Sequence, residues 1–404
     1  MRIAHIITRL IIGGAQENTL FTCEDLSTIH GDDVLLIAGP PEGPEGSLVR
    51  RARNGPYRFE EIRELCRSVL PWNDLVAYVK IRRLLRRFQP DVVHTHSAKA
   101  GILGRLAASS LRVPVIVHGI HGTPFHPEQS RLAHTLIRMA ERRAAGWCNA
   151  FVSVADAMNE TFLREGIVRQ EELAEKPMFT IRSGMEVGPF LGCDVHRSRM
   201  RARYGFRETD VVVGKIARLF RLKGHDDLIT AAIGVRARFP ETGERGRRIR
   251  FLLVGDGVLH DTLRARISSL GLSEMFVFAG LVPPEEIPSI ISAMDMVVHT
   301  SLREGLARVL PQALIAARPV ISYDIDGARE VCIPGETGFL IPPRETDRIT
   351  DAICQLADDP ALRRRYGETG RRRFTEVFRH EHMTEEIRQV YAQLSGRRRN
   401  RSEA

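Results

Sequence analysis

Eleven short apolar runs, separated by amphipathic stretches, constrain what this chain can fold into more than any other feature. RIAHII, DVLLIAG, DVVHTHS, VPVIVHG and AFVSVA occupy the first half, and VVVGKIAR, RFLLVGDG, FVFAG, MVVHTS, PVISYD and GFLIPP the second. Each run is nearly continuous in apolar character instead of alternating, as a strand covered on both faces requires. Helical patterns stand between them, so the reading is an α/β chain with two parallel sheets. A length of 404 residues exceeds what one core usually supports, and two domains are expected. The stretch RSGMEVGPFLGCDVHRSRMRARYGF (182–206), rich in glycine, charge and turn signals, marks the break and gives domains of 1–190 and 191–374. A final helical segment, 375–395, has no strand after it and is expected to cross back to the first domain.

Composition excludes several functions. Apolar content of 43% with 27% charged residues is that of a soluble globular protein. The six cysteines include no C-x-x-C pair, which argues against a disulfide framework or a structural zinc site and fits a reducing, cytoplasmic compartment. The apolar N-terminus is interrupted by Arg9 and does not read as a signal peptide, and no run of 18 apolar residues is present to span a bilayer. A net charge of +9 invites a nucleic-acid partner, but the bias is a general arginine richness with no groove of interleaved aromatics, so none is expected. One basic cluster stands apart, DLVAYVKIRRLLRRFQ (74–89), with Lys80, Arg82, Arg83, Arg86 and Arg87 largely opposite its apolar face. It reads either as a surface helix packed on a sheet or as a patch for anionic lipid headgroups at the inner face of the membrane.

Parallel sheets bind ligands beyond the C-terminal ends of their strands, and several such loops carry unusual residues. In GGAQENTL, Gly13 and Gly14 open a helix and let backbone approach an anion. In GKIARLFRLKGHDDLI, Arg218 and Lys223 flank a helix start, where two cations suit a diphosphate. The dinucleotide fingerprint fails in LLVGDGVLH, because His260 occupies the third glycine position. His94 and His96, with His118 and His121, suggest a metal hydrolase, but no matching carboxylate pattern accompanies them. A single histidine donating to a ligand is the simpler use. The D-x-D of YDIDG resembles a metal-chelating motif, yet reads more simply as a strand-to-helix loop with Asp326 near a helix start.

The stretch SLREGLARVLPQAL resembles the E-G-x6-E motif of the GT-B-fold retaining glycosyltransferases of family 4, the glycosyl transferases group 1. GGAQ, HTHSAKAG, HG at 121–122, RSGME, ARLFRLKG, VGDG, FAGLVPPEEI and HTSLREG follow in that family's order, so the resemblance spans nearly the whole chain. It implies two Rossmann-like domains facing across a cleft, with the C-terminal helix packing back on the first. It implies a nucleotide-sugar donor, with Arg218 and Lys223 on its diphosphate, Glu304 on its sugar hydroxyls, and the Gly305–Leu306 backbone on its phosphate or sugar. Gly280, Leu281 and Val282 fall near the base, Gly13 and Gly14 near the phosphate, and His121 near the transferred sugar. The acceptor implied is a glycan or a lipid-linked glycan, in cell-surface polysaccharide or glycolipid synthesis. No metal or other cofactor is expected, because fixed cations stabilise the departing diphosphate. Family members retain anomeric configuration by front-face attack, so Glu304 is not expected to be a nucleophile.

Gln312 departs from this pattern. The family usually carries a second glutamate there, holding the ribose hydroxyls, whereas an amide offers one acceptor and one donor group. RSGME likewise stands where the family often has N-G-V-D. Two other functions fit the same fold: a sugar-nucleotide epimerase, or a non-catalytic nucleotide-sugar-binding protein.

Overall fold

The computed structural model describes residues 1–43, 46–125, 129–239 and 248–403. The chain divides into two compact units, residues 1–185 with 377–404, and residues 186–376. The first division falls at Glu186, slightly before the position 190 read from the sequence.

Unit 1 contains strands β1 (Arg2–Ile7), β2 (Asp33–Ala38), β3 (Arg58–Glu61), β4 (Val92–His96), β5 (Val115–Ile120), β6 (Ala150–Ser153) and β7 (Met178–Thr180). Its helices are α1 (Gly14–Thr28), α2 (Val49–Arg53), α3 (Pro71–Phe88), α4 (Ala98–Ser110), α5 (Arg131–Ala145) and α6 (Asp156–Arg164). Unit 2 begins with short helices α7 (Gly188–Leu191) and α8 (Arg197–Arg203). Its strands are β8 (Val211–Ile216), β9 (Ile249–Val254), β10 (Phe276–Gly280), β11 (Met296–His299), β12 (Val320–Tyr323) and β13 (Gly338–Ile341). Helices α9 (His225–Arg238), α10 (His260–Ser269), α11 (Ile287–Ser292), α12 (Val309–Ile315), α13 (Thr346–Asp358) and α14 (Pro360–Phe374) complete it. The chain then returns to unit 1 through α15 (His380–Glu403).

Both sheets are parallel throughout and share one topology. The strand orders are β3-β2-β1-β4-β5-β6-β7 and β10-β9-β8-β11-β12-β13. The first strand of each unit therefore lies inside its sheet, with successive strands added on one side and then on the other. This doubly wound order creates a switch point between β1 and β4, and another between β8 and β11, where the loops diverge and leave room for a ligand.

The apolar runs are continuous because both faces are covered. In unit 1, Ile3, Ile7, Leu36 and Val117 pack beneath Leu20 and Leu26 of α1 and Ile387 and Tyr391 of α15. In unit 2, Val213, Phe251, Val298 and Ile321 pack with Leu228 and Ile229 of α9 and Ile353 and Leu356 of α13. Polar groups fix α15 in place: Asp25 accepts from Thr384 Oγ1 (2.9 Å) and pairs with His380 Nδ1 (2.8 Å), while Arg388 Nε donates to Asp32 (2.9 Å). β3 and β7 were not apparent as strands. β3 is a half-exposed edge strand, RFEE, and β7 has only three residues, so neither needs a continuous apolar run.

α3 packs through Ala77, Ile81, Leu85 and Phe88, spaced three or four residues apart, and leaves Lys80, Arg83, Arg86 and Arg87 exposed. Its outer face also carries Trp72, Leu75, Val76 and Val79, with Trp72 78% exposed. Among the described residues no helix is long and apolar enough to cross a membrane.

Candidate active site

Lys215, His225, His299, Thr300 and Ser301, all buried polar residues of unit 2, lie on or beside the two strands and loops that flank its switch point. β8 ends at Ile216 and its loop runs through Arg218 and Lys223 to Gly224, which caps α9. β11 ends at His299, and its loop carries Glu304 and Gly305 before α12. The two loops are laced together. Leu302 N donates to Leu222 O (2.8 Å), and Thr300 Oγ1 donates to Gly224 O (2.5 Å). Gly224 must be glycine here: its φ is +61°, and a Cβ would lie 1.9 Å from Thr300 O.

This lacing brings Lys223 Nζ onto Glu304 Oε1. His299 Nε2 lies 3.5 Å from the same oxygen. Burial acts to raise the Glu304 carboxyl, but the neighbouring His299 and the Lys223 charge outweigh it and hold the group well below the usual carboxylate range. Glu304 is therefore an anion at neutral pH with an oriented carboxylate. The loop after β12 supports it from below: Asp326, at φ +45°, accepts from Glu304 N (2.8 Å), and Gly327 N donates to Gly305 O (3.0 Å). Both carboxylates of the D-x-D thus serve protein groups, since Asp324 pairs with Arg329 at 3.0 Å.

Lys215 sits beneath these loops, inside β8. It is 1% exposed and donates to Thr300 Oγ1 at 2.7 Å. Burial, with a contribution from Lys223, lowers its pKa to about 7, against the opposing pull of Glu304 and Asp227. Sequence reasoning passed over Lys215 and His299. The available signal was a lysine within an apolar strand of a chain that has only five lysines.

The other candidates are distributed around this core. Arg218 stacks over Phe220, 5.0 Å from its ring centroid, and its carbonyl accepts from His225 Nε2 (2.9 Å). Leu306 is buried, and Gln312 lies half-buried in α12. Gly280, at φ +73°, ends β10 and accepts from Gly255 N (2.9 Å), followed by the exposed Leu281 and half-buried Val282. The glycines of VGDG have a local cause. A Cβ at Gly255 would lie 2.3 Å from Ala217 O, and one at Gly257 2.6 Å from Leu219 O, so both permit close passage beside the β8 loop.

In unit 1, Gly13 caps α1 and Gly14 begins it, at the end of β1. His121 follows β5 directly, and its Nε2 is 2.9 Å from His96 Nδ1. His5, His94 and His96 each bring a ring nitrogen within 4.8 Å of the others, a grouping with the residue types for a metal ion. His118 instead pairs with Thr95 Oγ1 (2.9 Å), away from that group.

Both units are doubly wound Rossmann-like folds, and an ion-paired carboxylate stands at the switch point of unit 2. The sequence comparisons identify the family. Residues 196–373 match the model for glycosyl transferases group 1, and residues 28–175 match the glycosyl transferase 4-like domain, together about four fifths of the chain. The chain belongs to the group 1 glycosyltransferases. It is 25% identical over 366 residues to the Escherichia coli UDP-Gal:alpha-D-GlcNAc-diphosphoundecaprenol alpha-1,3-galactosyltransferase, covering 90% of this chain and 89% of that one. It is 28% identical over 302 residues to the alpha-D-kanosaminyltransferase of Streptomyces kanamyceticus, covering 73% and 75%. The fold matches that of Anabaena HepE, solved in complex with UDP, with a TM-score of 0.79 at 20% identity over 97% of this chain and all of that one.

Proposed function

We propose that this glycosyltransferase takes a hexose-type sugar from a nucleotide-sugar donor and passes it, with retention and without a metal, to a glycan or lipid-linked acceptor. The observation that carries this reading is the Lys223–Glu304–His299 cluster at the switch point of unit 2. Cleaving a sugar–phosphate bond leaves negative charge on the diphosphate and positive charge on the sugar. Lys223, with Arg218, supplies fixed positive charge for the first, where preorganised charges are worth most. Glu304, anionic and placed beside Lys223 and His299, meets the sugar hydroxyls and tempers the second. The Gly305–Leu306 backbone and the 280–282 loop take the phosphate and the base, and Gln312 the ribose. In unit 1, Gly13 and Gly14 carry the phosphate role and His121 the sugar role. The leaving phosphate removes the acceptor's proton as the new bond forms on the same face.

The relatives support the substrate classes: one is named for a UDP-galactose donor and a diphosphoundecaprenol-linked acceptor, and HepE was solved with UDP. A lipid-linked acceptor agrees with the outer face of α3, where exposed apolar residues adjoin Lys80, Arg83, Arg86 and Arg87 and suit an anionic membrane surface.

Purified protein supplied with nucleotide sugars and acceptor extracts is expected to release nucleoside diphosphate and glycosylate the acceptor. Glu304→Ala and Lys223→Ala should each abolish turnover with the fold intact; full activity in both would overturn the assignment. An altered sugar nucleotide formed without acceptor would identify an epimerase instead.

A further inference from the structure

The histidines at the switch point of unit 1 form a connected row. His5 Nδ1 on β1 is 3.0 Å from His96 Nε2 on β4, and His96 Nδ1 is 2.9 Å from His121 Nε2. The His5 and His96 rings lie nearly parallel, with 10° between their planes. Gly119, the register partner of His96 on β5, makes the room. A Cβ at that position would stand 2.7 Å from His96 Nδ1, 3.1 Å from His94 Nε2 and 3.2 Å from His121 Nε2. Burial pushes His5 down to about 3 and His121 to about 4, and His96 well below the ordinary histidine value. Each ring is therefore neutral at pH 7 and carries one proton.

Neutral imidazoles in a row admit two self-consistent arrangements. In one, His5 Nδ1–H donates to His96, His96 Nδ1–H donates to His121 Nε2, and His121 is left with Nδ1–H. In the other every bond is reversed, and the spare N–H is His5 Nε2–H. Both terminal atoms, His5 Nε2 and His121 Nδ1, are buried and have no hydrogen-bond partner among the described residues. The two ends differ in place. His5 is wholly enclosed within the sheet, whereas His121 is half-buried as a residue, with Nδ1 itself covered, and lies just beyond β5, at the end of the sheet where ligands bind. An unmet buried donor is costly, so the favoured arrangement places the spare N–H where a ligand can accept it.

We infer that His96 and His5 are positioning residues acting through His121: their row fixes its proton on Nδ1, so that it turns one directed N–H toward an oxygen of the bound sugar. The last clause rests on the sugar-side reading of His121 given above. A metal ion is the competing use of these rings. It would bury two positive charges among His5, His94 and His96 with no carboxylate ligand in that set, and would break the His5–His96 bond.

Imidazole nitrogen–proton correlation spectra of histidine-labelled protein read the tautomer directly, with His121 assigned by its loss in His121→Asn. The wild type should show the His121 proton on Nδ1. His96→Phe should move it to Nε2, and His5→Phe, a change two rings away, should give a mixture. In the transferase assay, kcat/KM should fall roughly tenfold in His96→Phe, the value of one directed hydrogen bond, and less in His5→Phe. A proton on Nε2 in the wild type overturns the row without requiring any variant to fold. So does an unchanged His121 signal in both variants, or stoichiometric metal that His5→Phe removes. If the spectra behave as expected while His121→Asn leaves turnover intact, the row is upheld and the sugar-side role of His121 is overturned.

Discussion

Replacing Lys215 by methionine should stabilise unit 2, and the gain should depend on pH in a defined direction. Lys215 is enclosed in β8, and among the described residues its one hydrogen bond is to a neutral hydroxyl, Thr300 Oγ1 at 2.7 Å. Its pKa falls from 10.5 to about 7, mainly through burial and secondarily through Lys223. The unfolded chain binds a proton here up to pH 10.5, the folded chain only below about 7. Between these values the unfolded state holds more protons, so this residue makes stability rise with pH. Its penalty is fully present below about pH 7 and is gone above pH 10.5.

The depression corresponds to about 4–5 kcal/mol, since each tenfold step is worth ~1.4 kcal/mol. Methionine has similar length and no charge, and Thr300 keeps its bond to Gly224 O. After allowing for imperfect packing, Lys215→Met should gain about 2–4 kcal/mol at pH 7, with the advantage shrinking steadily toward pH 9.5. Urea unfolding followed by far-ultraviolet circular dichroism measures it. Trp72 and Trp147, the chain's two tryptophans, both lie in unit 1, so their fluorescence tracks that unit and should not move. A variant less stable than wild type at pH 7, or a stability gap that stays constant from pH 7 to 9.5, would refute the reasoning.

Other perturbations test separate parts of the account. Arg105 and Glu141 form a fully buried pair in unit 1 at 2.7 Å, so Glu141→Ala should strand the guanidinium and cost about 3–5 kcal/mol, read from the urea midpoint of tryptophan fluorescence. Gly224→Ala should destabilise unit 2 by about 2–4 kcal/mol and abolish transfer, because a Cβ there meets Thr300 O and forces apart the loops that hold Lys223 on Glu304. Sedimentation with vesicles should recover the protein with anionic but not neutral lipid, and the fraction bound should fall with added salt. Charge reversal at Arg83, Arg86 and Arg87 should release it, and equal binding to neutral vesicles would remove the electrostatic explanation. Gln312→Glu should tighten donor binding if residue 312 meets the ribose, as a lower donor KM at unchanged kcat; no change in KM places the ribose elsewhere.

Much of this was legible in the sequence because parallel strands leave a strong mark. All eleven apolar runs became strands, since burial on both faces demands uninterrupted hydrophobicity. Glu304 and Lys223 were legible for a different reason: each stands just past a strand in a loop that opens a helix, and the structure brings them together. Asp326 was legible in part. It opens a helical turn, Asp326–Glu330, as its position suggested, but its carboxylate also accepts from the Glu304 backbone, a contact across 22 residues that no local pattern encodes. Gly119 and Lys215 were missed for the same reason. The first makes space for rings on neighbouring strands, and the second is a charged residue inside a strand whose cost and partners exist only after folding.

The two switch points then show one topology solving the same electrostatic problem in opposite ways. Polar groups at the centre of a doubly wound sheet must be buried to lie beside a ligand, and burial penalises charge. Unit 2 accepts charge and compensates it, pairing Lys223 with Glu304 and leaving Lys215 as the uncompensated member. The histidine row of unit 1 carries no charge: its imidazoles are pushed neutral and bonded ring to ring, so direction is stored in proton position. The difference fits the ligand parts assigned to each. A diphosphate needs fixed positive charge, and on the proposed reading Lys223 would supply it at little reorganisation cost. A sugar hydroxyl needs only a donor aimed correctly, and a neutral histidine held by its neighbours supplies that without attracting the phosphates. On this argument, placing a permanent cation at the end of the histidine row, as in His121→Lys, should harm transfer more than donor binding: it retains a donor but loses the neutrality and fixed direction of the imidazole. A fall in kcat with an unchanged or lower donor KM is the expected result, and a rise in KM alone would show that the neutrality of the row is incidental.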